Sequence, residues 1–84
     1  MIKILSVGPK IWKKANKLGV KKKLEKSLRS LEENWQHPGL RVELLEPKKM
    51  RIWSFRVDRK VRALFIWRKD LEAIEILNLT VHYR

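Results

Sequence analysis

Two runs of alternating side chains, "RIWSFRVD" and "VRALFIW", are separated only by Arg59 and Lys60. A period of two is the period of a strand, and so short a polar link predicts a tight antiparallel pair. In the first run Trp53, Phe55 and Val57 point one way, and Ile52, Ser54 and Arg56 the other. In the second, Val61, Ala63, Phe65 and Trp67 oppose Arg62, Leu64 and Ile66. The wholly apolar sets need a cover, so they must meet the rest of the chain. The mixed sets then place Arg56 and Arg62 together on the opposite face.

The remaining sequence supplies the cover. "IKILSV" at 2–7 predicts a first strand, and "GP" at 8–9 ends it while suiting the first turn of a helix. Ile11, Ala15 and Leu18 share one helical face up to Gly19, a residue suited to a C-terminal cap. Leu24, Leu28, Leu31 and Trp35 continue the stripe of a second, longer helix from Val20, stopped by "HPGL" at 37–40. Strands are predicted at about 41–46, 51–58, 61–68 and 71–81. The fold class is α+β: an N-terminal strand, two helices, then three to four antiparallel strands. The helices pack on one face of the sheet, and the N-terminal strand is expected inside it. One domain spans residues 1–84. The other face of the sheet has no element left to cover it and stays open.

In the last strand Ile74, Ile76, Asn78, Thr80 and His82 form one register, and Leu77, Leu79 and Val81 the other. If the apolar register packs inward, His82 arrives on the side of the arginines.

The formal charge of +12 narrows the partners. From Lys10 to Arg29 every charged residue is basic except Glu25, and from Lys48 to Lys69 every one except Asp58. Charge so one-sided predicts attraction to polyanions: nucleic acid, an acidic protein or an anionic surface. The absence of cysteine excludes disulfides and thiolate metal sites and suits a cytoplasmic protein. The apolar run at the N-terminus is too short for a signal peptide, and no stretch is long enough for a membrane span. His37 and His82 make a poor ligand set, so no metal and no cofactor is expected. No Gly-rich phosphate loop and no serine nucleophile motif occurs. Arg56 has two readings at this level, a structural ion pair with a carboxylate such as Glu43, or an anion ligand.

Taken together, "HPGLRVELLEP", "IWSFRVDRKVRALF" and the terminal "NLTVHYR" resemble the RelE/ParE superfamily of small toxins, with the closest look to its YoeB-like messenger-RNA interferases. The resemblance covers almost the whole chain. It implies a type II toxin that cuts mRNA in the ribosome by attack of a ribose 2′-OH on its own phosphate. It assigns Glu43 as base, His82 as acid and Arg62 as the cation at the developing charge, with Glu46 an alternative to Glu43. Arg56 becomes a second phosphate ligand, Tyr83 a contact to a base, and Lys48, Lys49, Arg59 and Lys60 the surrounding RNA surface. The implied partners are an acidic antitoxin, the ribosome and mRNA, with no membrane and no small-molecule substrate. Two other activities remain open: a ParE-like toxin that binds DNA gyrase, and a non-catalytic basic nucleic-acid-binding domain. Arg62, read as an exposed strand residue, is expected to matter little for stability.

Overall fold

The computed structural model describes residues 2–81. Along them run β1 (Lys3–Ile4), α1 (Pro9–Lys17), α2 (Lys21–Glu33), β2 (Glu43–Leu44), β3 (Trp53–Arg56), β4 (Val61–Arg68) and β5 (Ala73–Val81). Single 3-10 turns lie at Pro38–Leu40 and Lys48–Met50. The class and order are those the sequence predicts. Ala15, Leu24 and Leu31 of the helices share one core with Phe55, Ala63 and Phe65 of the sheet. The helices therefore cover the apolar face, as the alternation requires.

Helix α1 ends as its sequence indicates. Gly19 takes φ +72°, its N–H donates to the Asn16 carbonyl, and the Val20 N–H reaches back to Ala15 at 2.9 Å. This is a Schellman closure, which needs a left-handed residue and is completed by an apolar contact. Val20 and Ala15, both buried, are placed to supply it. Val20 then begins α2 without an intervening loop.

The sheet order is β1-β5-β4-β3-β2. The N-terminal strand is thus at the edge and parallel to β5, not inside the sheet, with Lys3 opposite Ala73 and Ile4 opposite Ile74. Consecutive antiparallel pairing of β2 to β5 occupies both sides of β3 and β4. Only the outer side of β5 or of β2 is left for a fifth strand, and the helices provide the crossover a parallel partner needs.

Strands β2 and β3 are shorter than the alternation predicts. Arg41 and Arg51 both adopt left-handed backbone, with φ of 46° and 54°, so extended structure begins only after each of them. At the other end of β3, the N–H groups of Val57 and Asp58 both turn to the Val61 carbonyl. The Asp58 carboxylate accepts from the N–H of Lys60 and Val61 at 2.9 and 2.8 Å, which fixes the turn into β4.

Strand β5 departs most from a simple alternation. Leu64 pairs with Asn78 but Phe65 pairs with Ile76, leaving Leu77 as an extra residue in a bulge. The side-chain alternation resets there. Ile74, Ile76 and Leu79 are all buried, while Leu77 is 37% exposed. The expected division into one inward and one outward register therefore fails on either side of Leu77. Asn78 and Thr80, opposite Leu64 and Arg62, do lie on the arginine face. His82 and Tyr83 fall outside the described residues.

Trp35 is not part of the α2 stripe, because the helix ends at Glu33. Its ring instead meets Trp53 and Trp67 edge-on, with centroids 5.9 and 5.4 Å away. It lies against the sheet's aromatic residues beyond the end of the helix.

Candidate active site

Cross-strand pairing gathers the polar residues of the open face. Arg56 sits opposite Arg62, and Glu43 opposite Ser54. Directly opposed residues share a face, and so do residues two apart on one strand, so Glu43, Ser54, Arg56 and Arg62 lie on the same side.

Arg62 is the fixed point of this group. Its Nε donates to the Ser54 hydroxyl at 2.9 Å, and its Nη2 donates to the Arg41 carbonyl and, at 3.4 Å, to the Ser54 carbonyl. The same Nη2 stands 3.8 Å from a carboxylate oxygen of Glu43. The Arg62 side chain is only 15% exposed, while that of Glu43 is 61% exposed. Burial pushes the Arg62 pKa down, the nearby Glu43 pulls it up, and Arg56 and Arg41 push it down again; the net direction is down. An arginine so placed stays charged at any physiological pH, but its charge is crowded by like neighbours and would be relieved by an anion. Arg62 is thus partly covered and held by three acceptors, in contrast to the exposed, stability-neutral residue expected from the sequence.

An open cavity of about 370 Å³ adjoins this point, lined by Arg41, Arg56, Asp58, Arg59 and Arg62. Asp58, its one acidic lining residue, is engaged already. Partial burial raises the Asp58 pKa, but the N–H groups of Lys60 and Val61 and the Lys23 ammonium, 3.7 Å away, outweigh that and hold it below the usual carboxylate range. Four arginines line one opening, and one of them, Arg62, has the Glu43 carboxylate 3.8 Å away; such a set can clamp a phosphate and offer it a base.

The sequence-predicted site residues are distributed unevenly about this cavity. Glu43, Arg56, Arg59 and Arg62 come together. Glu46 lies in the bend after β2, whereas Glu43 is the carboxylate beside Arg62. The Glu43–Arg56 ion pair considered from the sequence is not formed; Glu43 faces Arg62 instead. Lys60 follows Arg59 in the turn, with its N–H bound to Asp58. Lys48 and Lys49 belong to the 3-10 turn preceding β3, at the opposite end of that strand. The basic block from Lys48 to Lys69 is therefore divided in space. Two contributors were given no role from the sequence, Arg41 and Ser54. Ser54 was assignable to the arginine face by alternation alone, but Arg41 enters through its left-handed backbone, which no local pattern marks.

Comparison with known proteins gives a likeness of fold. No family model and no curated protein sequence matches this chain. Among solved structures, the YoeB-YefM complex from Staphylococcus aureus matches over 99% of both chains, at 18% identity and a TM-score of 0.68. The YoeB/ParE toxin from Agrobacterium tumefaciens matches over 99% of this chain and 100% of that one, at 18% identity and a TM-score of 0.62. The resemblance read from the sequence is thus met at the level of the whole fold.

Proposed function

We propose that this protein is a toxin of a type II toxin–antitoxin system and acts in the cytoplasm as a ribosome-dependent endoribonuclease. The observation that carries this reading is the placement of Glu43 beside Arg62, a residue that itself lines a cavity shared with Arg41, Arg56 and Arg59. A binding toxin or a plain nucleic-acid module needs the cations but has no use for a base among them. The fold shared with YoeB toxins supports the same assignment.

In the proposed reaction the guanidiniums hold the scissile phosphate. Glu43 takes the proton of the neighbouring ribose 2′-OH, and the freed oxygen attacks phosphorus. The bond from phosphorus to the 5′-oxygen breaks, and His82 protonates that oxygen as it leaves. The products are a 2′,3′-cyclic phosphate and a 5′-hydroxyl end. Arg62 neutralises the charge that builds on the phosphoryl oxygens, and its anchoring by Ser54 and Arg41 means that little reorganisation is needed in the transition state. Tyr83 would contact a base of the message. No metal enters this scheme. The ribosome positions the message, and an acidic antitoxin, as YefM partners the Staphylococcus aureus YoeB, would neutralise the basic helices between Lys10 and Arg29.

A second reading has one observation in its favour, the paired name YoeB/ParE carried by the Agrobacterium tumefaciens toxin. A ParE-like protein would act on DNA gyrase by binding and cleave nothing. Inducing the chain while mapping mRNA ends and DNA supercoiling separates the two. Cuts in translated messages with supercoiling intact support the nuclease; lost supercoiling with intact messages selects the alternative.

A further inference from the structure

Arg56 lines two cavities. Besides the one it shares with Arg62, it borders a groove of about 340 Å³ between α2 and the 3-10 turn at Pro38–Leu40. That volume is at the small end of the range for ligand sites. Its rim is cationic, with Lys23 and Lys26 from α2, and its floor is apolar, with buried Leu40 and Val57. Ser27 anchors the α2 side to β3, its hydroxyl donating to the Arg56 carbonyl at 3.4 Å.

His37 completes the rim, and its ring is held in place. The Gly39 N–H donates to His37 Nδ1 at 3.0 Å, so the neutral imidazole carries its proton on Nε2. The ring packs close over Gly39, where an added Cβ would stand 3.2 Å from both Cε1 and Nδ1. A fixed aromatic ring and an apolar floor beneath a basic rim suit a nucleotide, with its flat base and its phosphate, better than a bare anion.

We infer that this groove is a second RNA subsite, which takes the phosphate next to the scissile one and the base beyond it. Arg56 stands between the two phosphates, and the strand runs from the Arg62 cavity across it to Lys26 and His37. The inference rests on the proposed action on RNA but concerns binding, so it is tested apart from cleavage.

The probes are 2′-O-methyl oligouridylates, which lack the attacking hydroxyl and cannot be cut. A hexanucleotide reaches both cavities, whereas a dinucleotide, with one phosphate, fills only the first. In the Lys26→Gln/His37→Asn double variant, hexanucleotide affinity should fall by roughly ten-fold. The log–log salt slope should fall by about 0.7, the value for one phosphate neutralised on a single strand. Dinucleotide affinity should be unchanged. On the native sequence, the hexanucleotide should shift the amide resonances of Ser27, Ser30 and Gly39 and the His37 ring protons, and the dinucleotide should not.

Equal hexanucleotide affinity in native and variant protein, with those resonances unmoved, overturns the inference. So does a glutamate peptide of the same charge that binds as tightly and shifts the same signals, because the groove would then be a docking place for an acidic chain. If the groove responds to RNA but no message is cut in cells, the nuclease reading falls and the subsite stands. If messages are cut and the groove is silent, the reverse holds.

Discussion

Arg62 donates through Nε to the hydroxyl of Ser54 at 2.9 Å, over a residue that is 1% exposed. The pair holds the guanidinium of a strand arginine in place, and under the proposed function it ties cleavage to stability at a single side chain. Arg62→Ala should therefore do two things. Leaving the buried Ser54 hydroxyl and the Arg41 carbonyl without their donor should cost about 1–3 kcal/mol of stability. Losing the charge should lower cleavage by roughly a hundred- to a thousand-fold per folded molecule. Thermal melts and single-turnover cleavage on the same preparation read both, and a drop in stability with undiminished cleavage would remove Arg62 from the site.

Glu43 is expected to behave differently because it is largely exposed. Glu43→Gln should change stability by no more than about 0.5 kcal/mol, yet slow cleavage by about a hundred-fold or more through loss of the base. Binding of uncleavable RNA should persist. Glu46→Gln, in the bend beyond β2, should cleave normally; the opposite ranking of the two variants would transfer the base to Glu46. His82→Gln should reproduce the kinetic loss of Glu43→Gln.

Arg41 holds left-handed backbone while lining the cavity. Glycine adopts that conformation freely, whereas for a residue with a side chain it costs about 1 kcal/mol or more. Arg41→Gly should thus raise the melting temperature or leave it unchanged while weakening RNA binding. Arg41→Ala keeps the strain and also loses the cation, so it should match Arg41→Gly in lost RNA binding but melt below it. Denaturation and binding titrations on the two variants test the contrast.

Asp58 gives a pH dependence of known sign. Its folded pKa lies below the ordinary value of 3.8, so its carboxylate stabilises the fold fully above that pH. That contribution is lost as the pH falls from the unfolded value through the lower folded one. Asp58→Asn keeps an acceptor oxygen for the turn but not the charge. The native protein should exceed the variant in stability at neutral pH by about 1 kcal/mol or less, given the partly exposed Lys23 partner. The gap should close in acid below pH 3.8. A gap that widened there would contradict the assignment.

The divided basic block predicts unequal salt effects. Arg59 lines the cavity, while Lys48 and Lys49 sit before the far end of β3. Reversing the charge of Arg59 and Lys60 should flatten the salt dependence of binding to a short RNA, by about 0.7 in log–log slope for each phosphate no longer neutralised. The same change at Lys48 and Lys49 should leave a short RNA unaffected and register only with longer RNA or ribosomes. Equal effects on the short RNA would place both pairs on one surface.

What local pattern could specify, the sequence did specify. Strand β4 spans Val61–Arg68, the very span its alternation marks, because its apolar residues find partners on the helix face throughout. Gly19 closes α1 because only a left-handed residue permits that closure. Arg56 and Arg62 share a face because the pleat allows nothing else. Pairing decided the rest. Whether β1 joins the sheet inside or at its edge depends on which strand sides the later hairpins leave free. The bulge at Leu77 places Ile76 and Leu79 in the core together, which regular alternation forbids. Arg62 is covered because Ser54 on β3 and the left-handed Arg41 ahead of β2 both present acceptors to it. Periodicity is a property of neighbours along the chain, whereas register, burial and charge crowding are properties of neighbours in space.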